Sequence, residues 1–407
     1  MSDRHCAAER FVLTGEQLTV GGVPLPLLVE RVGGTPFYAY DRRLIEARVA
    51  ELRAALPRAM KLHYSIKANP MPALVGFMAR QVDGCDVASG AEMRVALDAG
   101  MDPREISFAG PGKSEVELAQ AVAAGVLLHV ESAREVRLLG RIAQRLHLPA
   151  RVAVRVNPNY ELKSSRLKTG GGPKQFGIDS ELVPDVLAEI RREGLAFEGF
   201  HLFAGAQNLR AAEICEAQSK ALELAVHLAV HAPSPVKMLN LGGGFGIPCF
   251  AGEQTLDLGA IGDHLHDVAA SAAAQLPHAE LVIELGRYLV GEAGVYVARV
   301  IDKKVSRGEV FLVTDGGLHH HLAASGIGQL IRRNHPIEIY PRRSTAAREV
   351  ASVVGLLCTP LDLLGHQLEL PAAEPGDLVV VFQSGAYGYS ASPTALLSHP
   401  PPLEVLV

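Results

Sequence analysis

Between residues 37 and 290 the chain alternates two patterns, and this alternation limits what it can fold into. A short β-branched or apolar run ends in Gly, Asn, Pro or Ser, and an Ala/Leu/Glu/Arg-rich stretch of helical spacing follows. The runs lie near 61–66, 82–87, 105–109, 126–130, 151–156, 197–203, 237–241 and 281–285. The helical stretches lie near 41–56, 71–80, 90–99, 114–123, 132–146, 180–193, 209–230 and 256–275. Parallel strands buried on both faces read as nearly continuous apolar runs, as VLLHV and LVIEL do. Eight such units in about 250 residues predict an α/β fold, a (β/α)8 barrel. A doubly wound open sheet would carry GxGxxG after an early strand, and the sequence has none there.

After about 295 the helical spacing stops. GVYVARVIDKKVSRGEVFLVTDGG, REVASVVGLLCTPLDLL and GDLVVVFQSGAYGYS read as strands joined by Gly, Pro and Asp turns. The expected organisation is a barrel over 37–290 and an all-β C-terminal domain over 291–407. Residues 1–36 contain further short strands (RFVLTG, QLTVGG) and are expected to pair with that β domain. The prolines of SHPPPLEVLV at 398–407 imply an extended segment.

Composition excludes several classes. With 48% hydrophobic and 20% charged residues, the chain of 407 residues can bury a core. A net charge of −5, 5% aromatics and no Trp give no nucleic-acid footprint. No apolar run approaches the ~18 residues of a membrane helix, and the N-terminus lacks a signal-peptide core, so a cytoplasmic protein is expected. Cys6, Cys85, Cys215, Cys249 and Cys358 are odd in number, widely spaced and without a CxxC pair. That speaks against a disulfide framework and a structural zinc site. His319-His320-His321 does not suggest a metal, because consecutive side chains converge poorly.

In such a barrel the chemistry belongs at the carboxyl ends of the strands. The sequence places there Lys67, Asp86, the AGPGK run (109–113), Glu131, Arg155, His201, Phe203, the GGGFG run (242–246), Glu284, Gly286 and Arg287. The glycines of GGGFG can bring backbone N–H groups close to an anion, and the loop after strand seven is a common phosphate site. A lysine at the inner end of a strand, after apolar Ile66, is expected to be poorly solvated and able to act as a Schiff-base nucleophile. The plainer alternative is a lysine that snorkels to the rim. Lysine, phosphate cradle and Glu284 together fit pyridoxal 5′-phosphate: an aldehyde, a phosphate and a ring nitrogen that an acid keeps protonated.

HYSIKANP, DVASGAE, RVNP, GGGFGIP, ELGRYLV, CTPLDLL and SGAYGYS occur in this order. In this the chain resembles the fold-type III pyridoxal-phosphate decarboxylases, the diaminopimelate and ornithine decarboxylase family. Within it the chain looks most similar to the exosortase-associated pyridoxal-dependent decarboxylases. The resemblance covers nearly the whole chain. It implies Lys67 as the cofactor-bound lysine and Glu284 at the pyridine nitrogen. It implies Gly243, Gly244, Gly246, Gly286, Arg287 and Tyr387 at the phosphate, with Asp86 and Arg155 also beside the cofactor. It further implies a homodimer in which Cys358 of one subunit protonates the product in the other.

Three departures bear on the substrate. In the stretch His201-Leu202-Phe203-Ala204-Gly205-Ala206, Phe203 stands where the family has a ring-stacking His, and Ala206 where it has a phosphate-binding Ser. His201 itself reads equally as a structural histidine. After Cys358 the family's acid for a distal ammonium is Thr359, with Asp362 nearby in sequence. A second expected acid falls in IRRNHP, at Arg332. Arg332, Thr359 and Asp362 are therefore the candidate substrate contacts. A distal ammonium without a carboxylate is costly to bury, and an arginine repels it. The expectation is decarboxylation of an amino acid that is not a plain diamino acid: neutral, acidic, sulfonium or carrier-bound. Diaminopimelate or ornithine/lysine-type decarboxylation, an amino-acid racemase, and a non-catalytic regulatory homologue are the alternatives. Glu284 speaks against the racemase, and the presence of Lys67, Glu284 and Cys358 against the silent homologue.

Overall fold

The computed structural model describes residues 6–160, 167–168, 171–203, 205–250, 252–327, 333–342 and 347–407. Contacts divide the chain into two compact units. One comprises Arg48–Ile247 and Thr255–Gly286; the other comprises Met1–Ala47, Pro248–Gln254 and Arg287–Val407.

The first unit is a closed barrel. Its strands are β1 (Lys61–Ser65), β2 (Gly84–Val87), β3 (Ile106–Phe108), β4 (Leu127–Val130), β5 (Arg151–Asn157), β6 (Ala196–Leu202), β7 (Met238–Gly243) and β8 (Glu280–Leu285). Each pairs in parallel with the next, and β8 returns to β1. The helices between them are α1 (Pro72–Met78), α2 (Gly90–Asp98), α3 (Glu115–Ala124), α4 (Ala133–Leu146), α5 (Val183–Arg192), α6 (Ala211–Ala229) and α7 (Leu258–Gln275).

Local chemistry sets these boundaries. Ser89, Ser114 and Ser132 cap α2, α3 and α4 by accepting the backbone N–H three residues on. In α3, Glu117 completes a capping box. In α4 the apolar side chains Val136, Leu139 and Ile142 recur at helical spacing and are buried, while Arg141 and Arg145 stay outside the core. All four residues of β4 are buried, as expected of a strand covered on both faces.

The second unit holds a mixed sheet. Its strands β9 (Gly294–Ser306), β10 (Glu309–Thr314), β11 (Ile337–Tyr340), β12 (Arg348–Val354), β13 (Leu363–Pro371) and β14 (Leu378–Val381) run in the order β11-β14-β9-β10-β12-β13. Phe37–Tyr40 pairs antiparallel with the start of β9 and parallel with Leu403–Leu406. The barrel was expected to begin at 37, yet the stretch to Ala47 sorts with the sheet unit. The residues before 37 belong to the sheet unit, as expected, but not by strand pairing with its large sheet. Val12–Thr14, Gln17–Val20 and Val23–Pro24 form a three-stranded sheet of their own instead of extending the large one. What joins them to it is a core: Phe11, Leu18, Val20 and Leu28 cluster with Phe37, Val295, Val297 and Phe382. Burial of these side chains, not strand pairing, holds the segment.

The run His319-His320-His321 is buried in this unit. Tyr38 donates from its hydroxyl to the His320 carbonyl at 2.7 Å. His321 Nδ1 accepts from Ala324 N–H at 3.2 Å, which leaves Nε2–H to face Ser384 Oγ at 2.9 Å. Burial, reinforced by His335, holds His321 well below the usual histidine range. Burial and His319 pull His320 down to about 4. Among the described residues no three His, Cys, Asp or Glu side chains form a metal-binding group.

Candidate active site

Lys67 sits in a short turn, Ile66–Ala68, just beyond β1. The sequence predicted a lysine kept from water; its side chain is exposed, because the turn carries it past the end of the strand. Its Nζ lies 5.7 Å from the Phe203 ring centroid. The turn is held by Tyr64, whose hydroxyl donates to the Asn69 carbonyl at 2.9 Å. Gly286 lets it pack closely, since a Cβ there would stand 2.8 Å from that of Ala68. Glu92, on α2, accepts from Ala88 N–H at 2.7 Å. Burial pushes its carboxyl up, and Ala88 N–H and Lys67 only partly oppose this. Glu92 ends the DVASGAE motif, and its type and position there were the available sequence signal.

A polar layer crosses the barrel. Glu284 is the register partner of His63, and His201 that of Asn240. All four are buried. Asn240 Nδ2 donates to Glu284 Oε2 at 3.0 Å, and His201 Nε2 faces the same oxygen at 3.4 Å. The His129 ring lies 4.4 Å from that of His201. Burial alone would raise the Glu284 carboxyl; His201 and Lys67 outweigh it and hold it far below the usual range. His129 is held well below the usual histidine range by its own burial and by His201. On β2, Asp86 accepts from Ser107 Oγ and lies 3.6 Å from His63 Nδ1. His129 and Asn240 were not singled out from the sequence; inward positions of barrel strands that read as His or Asn were the available signal.

Arg155 donates to Glu131 Oε1 at 2.9 Å, and its guanidinium carbon lies 5.0 Å from the Phe176 ring centroid. Glu131 also accepts from Gly110 and Gly177 N–H at 2.7 and 2.9 Å. Burial would raise its carboxyl, but Arg155 and the Gly177 N–H hold it below the usual range. Lys113, from the AGPGK run, is buried beneath this group. Its Nζ lies 3.0 Å from Glu135 Oε1 and donates to the carbonyls of Gly110 and His129 at 2.6 and 2.9 Å.

The GGGFG run follows β7. Gly244 has φ 79°, and a Cβ there would collide with the Gly205 carbonyl. The run is laced to the β6 loop: Asn208 N–H donates to Gly244 O at 3.0 Å, and Gly246 N–H donates to Asn208 O at 2.8 Å. Gly243 ends β7, opposite Glu284.

The remaining sequence candidates lie in the sheet unit. The Arg287 guanidinium carbon is 4.8 Å from the Tyr387 ring centroid. Cys358 is an exposed free thiol. Asp362 is buried and accepts from Leu318 N–H at 2.6 Å and from Leu357 N–H at 2.8 Å, so both its oxygens brace backbone. This corrects the expectation that Asp362 is available to a substrate. Thr359 Oγ1 accepts from Leu361 N–H at 3.3 Å. Arg332 lies outside the described residues, as does Ala204.

Two features test the fit to pyridoxal phosphate. A glycine run too tight for side chains lies beside a buried, ionised carboxylate. Both ring nitrogens of His129, Nδ1 of His201 and Asp86 Oδ2 have no hydrogen-bond partner among the described residues. The barrel and its strand ends thus define an enzyme suited to an anionic aldehyde cofactor, and the residues present fit it.

The family described as pyridoxal-dependent decarboxylase, pyridoxal binding domain, matches residues 42–291, and the chain belongs to it. It is 39% identical over 378 residues to the L-glutamyl-[BtrI acyl-carrier protein] decarboxylase of Niallia circulans, covering 91% of this chain and 88% of that one. It is 32% identical over 379 residues to the diaminopimelate decarboxylase of Aquifex aeolicus, covering 92% and 87%. A crystal structure of a mutant Helicobacter pylori diaminopimelate decarboxylase complexed with L-lysine superposes with a TM-score of 0.83 at 28% identity, covering 94% of each chain. The chain is a pyridoxal-dependent amino-acid decarboxylase, and no helix among its described residues is long and apolar enough to cross a membrane.

Its stability is expected to fall on acidification. The unfolded chain binds protons at histidine near pH ~6.5, whereas buried His129, His320 and His321 resist them. Their contribution is complete above that pH and is lost as the pH drops towards their folded values. Thermal unfolding at constant ionic strength should give a lower midpoint at pH 5.5 than at 7.5; equal midpoints would contradict the assignment.

Proposed function

We propose that the chain removes the α-carboxylate of an amino acid whose distal end is not an ammonium group, with an acyl amino acid held on a carrier protein as the first candidate. The observation that carries this reading is the state of Asp362. It is the one carboxylate of the 355–362 loop, and both its oxygens serve the backbone N–H groups of Leu318 and Leu357. Beside Cys358 stands Thr359, which offers a distal ammonium no counter-charge. The likeness to the L-glutamyl carrier-protein decarboxylase supports the same choice.

Pyridoxal phosphate, when bound, supplies an aldehyde that captures amines and a ring that takes up the electron pair released with carbon dioxide. Lys67 would be the residue that holds this aldehyde, through its side-chain amine. Glu284 keeps a proton on the ring nitrogen, its own charge secured by Asn240 and His201. Gly243, Gly244, Gly246 and Gly286 admit the phosphate, aided by Arg287 and Tyr387. Phe203 gives the ring an apolar face, and Asp86 and Arg155 border the cofactor. Cys358 returns the proton to Cα. We assign Cys358 to the partner's site in a homodimer. We place the enzyme in the cytoplasm, in keeping with the free thiols of Cys85, Cys215, Cys249 and Cys358.

Carbon dioxide release should be measured for glutamate, its carrier-protein thioester, lysine, ornithine and diaminopimelate. The carrier-bound substrate is expected to exceed each diamino acid by at least about a hundredfold in kcat/KM. Faster turnover of diaminopimelate would overturn this reading in favour of the activity named for the Aquifex aeolicus relative.

A further inference from the structure

We propose that Asn240 is a positioning residue for the decarboxylation, one that ties the acid of β8 to the glycine turn after β7. It rests on the reading that Glu284 and that turn hold the two ends of the cofactor.

The geometry begins with a bulge. Asn240 opposes Val282, but Gly243 opposes Glu284, so β7 carries one residue more than β8 across this interval. A bulge leaves a backbone group outside the ladder, and here the Gly242 N–H donates to Asn240 Oδ1 at 2.8 Å. The other half of the same amide, Nδ2, donates to Glu284 Oε2 at 3.0 Å. Asn240 is 1% exposed, so neither bond competes with water.

One planar group thereby sets the distance between the carboxylate and the start of the GGGFG run. Only an amide of this length offers both an acceptor and a donor there. Leucine would fill the space and lose both. Aspartate would keep the acceptor for Gly242 but set a second carboxylate against Glu284. Two such groups in contact share one proton, which can stand in for the lost amide donor until the pH rises and removes it.

The test uses purified full-length apoprotein titrated with pyridoxal phosphate, followed by absorbance, then steady-state kinetics across pH 6–9. Asn240→Leu should raise the cofactor Kd at least about tenfold and lower kcat about a hundredfold. Asn240→Asp should keep Kd within about threefold of wild type, because the Gly242 bond survives. Its kcat should fall as pH rises, through a range where wild type is flat. Unfolding midpoints of the apoproteins report folding separately.

Wild-type Kd and kcat in Asn240→Leu, or an Asn240→Asp profile that parallels wild type, would overturn the role. Glu284→Gln separates the two levels of the argument. If it is impaired while both Asn240 variants behave as wild type, only the Asn240 role fails. If Glu284→Gln is itself unimpaired, the assignment of Glu284 fails and the Asn240 role falls with it.

Discussion

Replacing Lys67 by alanine is expected to abolish both the visible absorbance band of the bound cofactor and turnover, the latter by at least about a thousandfold. The reason lies in the placement of amines at the strand ends. Lys67 is exposed on its turn and free to meet an aldehyde. Lys113, also at a strand end, has a side chain only 1% exposed and pinned by Glu135 and two carbonyls, so it cannot substitute. Lys67→Arg keeps the charge but not the amine, and should be equally inactive. A Lys67→Ala protein that keeps its colour and activity would sink the role. The same variant tests the proposal that Cys358 serves the partner's site. Lys67→Ala and Cys358→Ala subunits should each be severely impaired alone, and reassociated at equal ratio they should regain about a quarter of the wild-type activity. Half of the dimers are then mixed, and one of their two sites is intact. No recovery in dimers shown to have exchanged would mean that Cys358 does not cross between subunits.

Replacing Lys113 by methionine should be the most damaging single change to stability. The Lys113 and Glu135 side chains are 1% and 4% exposed. Removing one partner of such a pair strands the other charge and costs about 3–5 kcal/mol. For a unit of this size that lowers the unfolding midpoint by roughly 6–20 °C. Burial already pushes Glu135 above the usual carboxylate range, with Lys113 opposing it. Without the lysine its folded value rises further. Stability is then lost as pH rises through that value, so the deficit should shrink towards acid pH. Glu135→Gln keeps an acceptor for the Glu131 N–H that now bonds at 2.8 Å, and combined with Lys113→Met should recover most of the loss. A Lys113→Met midpoint within about 2 °C of wild type would show that the pair does not matter.

The barrel was legible because its signal is periodic and local. Each of the eight strands lies within two residues of its expected bounds, and capping serines mark three helix starts. The N-terminal sheet was not, since RFVLTG and QLTVGG have strand character whichever strands they join. That they pair with each other, and meet the large sheet through a shared core without strand pairing, is a tertiary choice. At the site, motif residues such as Lys67 and Glu284 could be picked out by type and position. Asn240, His129 and Lys113 could not, because their meaning comes from neighbours on other strands. Asp362 shows the converse: an acid at a suggestive position, already used by the backbone.

The sheet unit is assembled from both ends of the chain, which sets an order of events during synthesis. Phe37–Tyr40, a fully buried apolar strand, leaves the ribosome long before its neighbour at Gly294–Val297 exists. At about 5–20 residues per second the wait is roughly 10–50 s, and Leu403–Leu406 comes later still. The last barrel strand ends at Leu285, so the barrel is complete only just before Gly294–Val297 is made, but well over a hundred residues before Leu403–Leu406. Until Leu403–Leu406 is made, the newborn chain carries a complete barrel together with a buried-type strand still open on one side, the state in which a chaperone would find it.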